Sequence, residues 1–382
     1  MKIKIKLSEL LYFSAFFIWL LFNFIAQTNL VYKYPEIYRF RIVAMIVSIV
    51  ILLFKLLLER HSSKFLIFFF SAFCLAIIIG ISTHKLFDAL TIISTILFII
   101  SINNVNFRKV LILWTVSIVL LMISIYGLLK FGIIENTLRV QLGGRFRFSQ
   151  GYQYASFGAN FLFHLTLVYL YLRKSKIRLS EILMLGILNY YFYVNTDTKS
   201  AFLLSILALV LVYIFKNKVV SQKILNAIGK ITLTAGILIP IILTYFYNAN
   251  SKFFQILNVA LTGRLSLGHK TLSLYGVHMF GQKNLIGNCN KRATSVFDNI
   301  LYVDSSFVNI LLHYGVILLV VIWYSFYQLN KRGHFNTVEM LVFIVLILHS
   351  MFDPQFFELM YNPLLLLMGI SWSKYRYNYQ DV

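Results

Sequence analysis

The feature that most limits what this chain can become is the length and number of its apolar runs. A single helix crossing a bilayer needs roughly 20 mostly apolar residues, set by a hydrocarbon core about 30 Å thick. Twelve runs approach that length: 7–27, 40–58, 65–82, 86–102, 110–129, 155–172, 179–195, 201–215, 227–247, 306–327, 337–352 and 355–373. The two runs 179–195 and 201–215 are split only by Thr196, Asp197, Thr198, Lys199 and Ser200. One continuous helix there would be too long for a single crossing, so a tight re-entry is expected. The sequence therefore predicts an all-α polytopic membrane protein. It has about 12 transmembrane helices, a single integral-membrane domain over 1–382, and a large helical extracytoplasmic loop between spans 9 and 10.

Charge then orients the runs. The chain carries 35 Lys and Arg against 13 Asp and Glu, a net charge of +22, while 59% of its residues are hydrophobic. A basic nucleic-acid-binding domain is polar and soluble, so no nucleic-acid partner is expected. Cytoplasmic loops hold an excess of Lys and Arg. With the N-terminus in the cytoplasm and spans alternating, 20 basic residues fall on the cytoplasmic side and 15 on the outer side. Short outer loops hold only Lys33, Arg39, Arg41, Lys85 and Lys199. Both termini are therefore expected in the cytoplasm. The other ten outer cations lie in two long segments, 130–154 and 248–304.

Loops longer than about 12–15 residues are usually functional or disordered. The second segment is not disordered in composition: Leu257, Leu261, Leu265, Leu272 and Tyr275 recur at helical spacing. It predicts short helices on the outer membrane surface, a cap on the domain. No phosphate-binding loop, dinucleotide glycine pattern or His/Cys metal spacing is present, so no cofactor or metal is expected. Cys74 lies inside an apolar run and Cys289 alone in the outer segment, so no disulfide within the chain is expected. What remains is a set of outer cations: Arg139, Arg145, Arg147, Arg264, Lys270, Lys283, Lys291 and Arg292. They fit anionic lipid headgroups or solvent. Arg145, Arg147 and Arg264 also oppose the topological bias, and a guanidinium fork suits bidentate phosphate contacts. Ionisable groups at membrane depth are costly and point to function by default. Asp304 opens the tenth run, His313 lies about 13 Å further in, Asp353 precedes Pro354, and Glu358 enters the last run.

Three places carry a family resemblance. The topology has a large outer loop before the last three spans. Thr262-Gly263-Arg264-Leu265-Ser266-Leu267 opens an amphipathic stretch and is followed by Asn284-Leu285-Ile286-Gly287. Asp304-Ser305 is followed, after nine residues, by Gly315. Together these resemble the bacterial polysaccharide polymerases of the Wzy type and the related O-antigen ligases. The acidic start Asp304-Ser305-Ser306-Phe307 is more similar to the polymerases, because the ligases begin that motif with His. Leu318 departs from the small residue the motif expects. Thr196 to Ser200 resembles a phosphate-facing turn with Lys199 in place of Arg, and Arg145 to Gly158 resembles the family's approach to the sixth span without its Pro-Asn pair.

The resemblance implies a metal-independent glycosyltransferase in the bacterial cytoplasmic membrane, making capsule, exopolysaccharide or O-antigen. The donor is a glycan on undecaprenyl diphosphate and the acceptor a lipid-linked repeat unit. The expected partners are that lipid-linked oligosaccharide, membrane lipids, and a chain-length regulator and flippase of the same pathway. Preorganised cations stabilise a leaving diphosphate; Arg264 is the first candidate, then Arg145 and Arg147, with Lys270 and Lys199 in support. A carboxylate or His orients the incoming hydroxyl; Asp304 leads, with His313, His269 and His278 behind it. Tyr302 and Glu358 are expected to touch sugar. An O-antigen ligase-type transferase and a lipid-linked oligosaccharide flippase or other transporter are the alternatives. Against transport, the polar residues gather at the outer ends and no two related halves are visible.

Overall fold

A computed structural model describes residues 6–141, 145–283, 303–333 and 335–372. The chain opens with α1 (Leu7–Ile25), the short α2 (Leu30–Lys33), α3 (Ile37–Leu58), α4 (Ser63–Ser82), α5 (Leu86–Ser101) and α6 (Phe107–Lys130). A two-stranded hairpin follows, β1 (Leu138–Gln141) and β2 (Arg145–Phe148). Next come α7 (Ala155–Arg173), α8 (Leu179–Thr196), α9 (Lys199–Phe215) and α10 (Gln222–Tyr245). Two shorter helices, α11 (Lys252–Ala260) and α12 (Arg264–Tyr275), precede α13 (Ser306–His313), α14 (Gly315–Lys331), α15 (Thr337–Ser350) and α16 (Leu367–Trp372).

Among the described residues, six helices are long and apolar enough to cross a membrane: α1, α3, α4, α6, α7 with its 3-10 extension to Lys176, and α10. Three shorter ones, α5, α9 and α15, are also apolar. Their outward faces carry large hydrophobic side chains in the open, among them Leu57, Ile67, Ile123, Leu203 and Ile231. Water would penalise apolar area on that scale, whereas acyl chains accept it. The protein is a helical membrane protein. α7 is the axial helix, packed by α6, α8, α9 and α15. It buries three polar side chains, Asn160, His164 and Thr166, each at most 1% exposed.

Three features differ from the sequence expectation. Segment 130–154 contains the β hairpin, in which Arg139 pairs with Arg147 and Gln141 with Arg145. The tenth run is broken at Tyr314, where α13 ends and α14 begins. Gly315 has φ +88°, and a Cβ there would lie 2.4 Å from the Gly281 amide. The backbone of 278–282 crosses at this break: Val316 N–H donates to His278 O at 3.1 Å and Ile317 N–H to Met279 O at 3.1 Å. Only glycine combines that φ with so close a backbone approach. The twelfth run is not one helix either. Residues 351–362 are irregular, then Pro363–Leu366 form a 3-10 turn before α16. Pro354 and Pro363 each disfavour helix in the residue before them. The freed backbone is satisfied by neighbours: Trp114 Nε1 donates to Met360 O at 2.9 Å and Asn362 Nδ2 to Phe356 O at 2.8 Å. Non-helical backbone at such depth survives because protein surrounds it, as Phe356, Leu359 and Tyr361 at 1% exposure show.

Candidate functional site

The ends of α8, α10 and α15 and the beginnings of α7, α9 and α13 meet at one end of the bundle, with α12 laid across them. Arg264 is the first residue of α12. Thr262 (φ +55°) and Gly263 (φ +83°) reverse the chain between α11 and α12 just before it. Gly263 N–H donates to Asn258 O at 2.8 Å, and the Asn258 amide caps back onto Ser266, accepting from its N–H at 3.0 Å. This tight corner explains why a glycine precedes the arginine: φ near +80° is cheap only without a Cβ.

The guanidinium reaches two carboxylates. Arg264 Nε lies 2.9 Å from Asp304 Oδ2, and Nη2 lies 4.0 Å from Asp353 Oδ1. Asp353 is held firmly. Its Oδ2 accepts from Ser200 Oγ at 2.7 Å and faces His349 Nε2 at 3.4 Å, and its carbonyl accepts from Ser306 Oγ at 2.5 Å. Ser306 Oγ in turn accepts from Phe356 N–H at 3.0 Å, fixing the irregular segment to the start of α13. Behind His349, the Phe163 ring stacks at 3.9 Å and the His164 ring meets it edge-on at 5.5 Å.

Arg147 is the second cation. It is 9% exposed, in spite of its position on a hairpin. Its Nε donates to Thr196 O at 2.7 Å and its Nη2 to Thr198 Oγ1 at 3.1 Å. The turn between α8 and α9 provides both acceptors, helped by Asp197 in a left-handed conformation at φ +45°. Burial pushes the Asp304 carboxyl up to about 6; Arg264 pulls it back, while Asp353 adds to the upward push and Arg147 opposes it.

A cleft opens above this network. Its walls are Ile239, Pro240 and Leu243 of α10 on one side and Leu265 of α12 and Val308 of α13 on the other, with Arg264, Asp304 and Ser305 at its polar end. It takes in about 460 Å³, counting the part open to solvent. The arrangement suits an amphiphile: an anion at the guanidinium and an apolar chain along α10.

The predicted residues divide clearly. Arg264, Asp304 and Arg147 come together. Arg145 lies opposite Gln141 in the hairpin, but its side chain is outside the described part, and Tyr302 lies outside the described residues altogether. Lys270 is not on the Arg264 face. Six residues along α12 turn it through about 240°, and it is exposed whereas Gly268 and Thr271, on the Arg264 face, are buried. Lys199 is also exposed; its neighbours Thr198 and Ser200 make the contacts instead. His313 closes α13, about 12 Å along the helix from the Asp304 end. Glu358 is exposed on the irregular segment, and the cation acting on it is Arg41 of α3. Arg41 itself donates Nε to Asn23 Oδ1 at 2.8 Å and lies 4.0 Å over the Phe87 ring. His269 holds α12 to α10, its Nδ1 2.9 Å from Thr244 O.

Sequence reasoning named Asp353 only as an ionisable group at membrane depth, with no role in the site, and gave none to His349, His164, Ser200 or Ser306. One signal was available: Asp353 stands four residues after His349, on the same face of α15 if the helix is extended. No protein family, curated protein or solved structure matches the chain.

Proposed function

We propose that the protein is a polysaccharide polymerase that joins undecaprenyl-diphosphate-linked oligosaccharide repeats on the outer face of the bacterial cytoplasmic membrane. In this reading the chain crosses the membrane about 12 times, with α13 and α14 forming one crossing and 351–372 the last. The termini are cytoplasmic, and the Arg264 cleft opens outward. The observation that carries the reading is Arg264 itself: a guanidinium at the polar end of a cleft whose wall along α10 is apolar, with a carboxylate 2.9 Å away.

The chemistry follows from that arrangement. The donor's diphosphate binds Arg264 and competes with Asp304 for the guanidinium. Freed of that pair, Asp304 faces the acceptor. An acceptor hydroxyl attacks the donor's anomeric carbon, its O–C bond forms as the C–O bond to phosphate breaks, and undecaprenyl diphosphate leaves with the bonding electrons. The hydroxyl proton passes to Asp304. Direct displacement inverts the anomeric centre. Arg264 stabilises the charge that builds on the leaving oxygen, in an enclosed site where such contacts are strong. Arg147 adds a fixed positive field from behind, held by the α8–α9 turn.

The test is glycan length in cells. A strain lacking the protein should display single repeat units. Repeats retained on the cytoplasmic side would instead indicate a flippase, and long chains still on the lipid carrier a ligase; either result overturns the polymerase reading.

A further inference from the structure

Among the described residues facing Asp304 and Asp353, positive charge does no more than balance negative charge, so a diphosphate finds no surplus cation there. Among the described residues, two guanidiniums, Arg264 and Arg147, face two carboxylates, Asp304 and Asp353. Their charges sum to zero. A diphosphate diester brings two further negative charges into the same enclosed space. The two carboxylates already share Arg264, at 2.9 and 4.0 Å, so a ligand that takes the guanidinium leaves both short of a cation. Unpaired charge in a low-dielectric site is removed by protonation rather than endured.

We propose that the Arg264 cleft binds its lipid-linked diphosphate together with one proton, which is held on Asp353 against His349. This rests on the reading of Arg264 as the diphosphate ligand. Asp353 is favoured over Asp304 by position. Its side chain is 7% exposed against 17% for Asp304. Its Oδ2 already accepts from Ser200 and lies 3.4 Å from His349 Nε2, while Oδ1, which faces Arg264, is left without that cation when the guanidinium turns to phosphate. The titratable and charged groups around it are Arg264 from α12, Asp304 ahead of α13, Arg147 from β2, His349 from α15 and, behind it, His164 from α7. The division of labour is then clear: Asp304 stays ionised and accepts the proton of the reacting hydroxyl, and neutral Asp353 keeps the site from repelling the substrate.

Calorimetry on the full-length protein in nanodiscs tests this without any polymerisation. The probe is a short-chain citronellyl diphosphoryl glucose, whose two phosphates stay ionised between pH 5 and 8, so every proton counted belongs to the protein. Titration in two buffers of different ionisation enthalpy should show about one proton taken up per probe at pH 7. Linkage then requires the Kd to rise toward tenfold per pH unit above that. In Asp353→Asn the uptake should fall below half a proton and the Kd should become nearly flat with pH. Wild-type binding with no proton uptake overturns the proposal, as does absence of binding at any pH. Unchanged uptake in Asp353→Asn also overturns it, and a loss in Asp304→Asn instead would place the proton on Asp304. The polymerase reading is judged separately, by glycan length in cells.

Discussion

The two ends of the helical bundle treat buried charge in opposite ways. At one end, each carboxylate has its own cation: Glu59 with Lys55 at 2.9 Å, Glu9 with Lys109 at 3.1 Å, Glu181 with Arg173 at 2.8 Å and Glu339 with Lys174 at 3.3 Å. Those groups also finish helices. Glu181 and Glu339 sit at the third position of α8 and α15 and accept from the N-cap backbone of Arg178 and Asn336. Lys55 is fully buried, yet donates to Ser101 O, Asn103 O and Glu59. Charge is used there to close helix ends and hold the bundle together. At the other end, one guanidinium serves two carboxylates. The pairs at the first end are saturated in charge, each cation matched to its own acid, and have none to offer a ligand. Where two acids share a cation, a ligand can compete for it.

That contrast can be broken by substitution. The largest effect is expected from Arg264→Ala, which should cut polymer formation about 100- to 1000-fold, the usual cost of removing a preorganised charge-stabilising donor. Gel analysis of surface glycan, with membrane insertion checked by immunoblot, measures it; near-normal chain length would remove Arg264 from the chemistry. Arg264→Lys should recover little, because an ammonium cannot present the planar fork. Lys55→Ala, at the saturated end, should act on stability alone. Leaving Glu59 buried and unpaired costs about 3–5 kcal/mol, read as a lower melting temperature in detergent, with chain length per folded molecule unchanged.

A pH profile sharpens the comparison further. A carboxylate pair that works with one proton between its members loses activity in both directions. As pH falls through about 6, the value to which burial lifts Asp304, Asp304 is protonated and the base is lost. As pH rises, Asp353 gives up its proton and the diphosphate is repelled. The expected kcat/KM is bell-shaped, and the limbs belong to the pair rather than to either residue. A profile flat from pH 5 to 8 would contradict it. The smallest effect belongs to Lys109→Ala, whose side chain is 45% exposed; a pair so open contributes about 1 kcal/mol at most. A loss of polymer from that change, at normal protein levels, would contradict the division between the two ends.

How much of this was legible in the chain depends on what kind of force decides each feature. The helices were legible, because apolar run length is a local property and the bilayer demands it. So was the pairing of Arg264 with its motif, since a left-handed Gly263 leaves a mark in the sequence. That Lys199 and Lys270 turn outward was not legible, because charge says what a residue can bind but not which way its helix turns it. Asp353 was visible only as an acid between two runs, because its partners Ser200, His349 and Ser306 come from three different helices.

The sequence by itself determined that this is a helical membrane protein with ten of its 35 cations in two long segments. Those are properties of composition and spacing, and hydrophobic length alone enforces them. Tertiary structure decided which of those cations share a site. It folded a hairpin so that Arg147 was buried against the α8–α9 turn, broke a helix at Gly315 and left 351–362 unwound. The physical reason is that a buried charge needs partners on all sides. No single helix can supply them, so the site exists only where several helix ends meet.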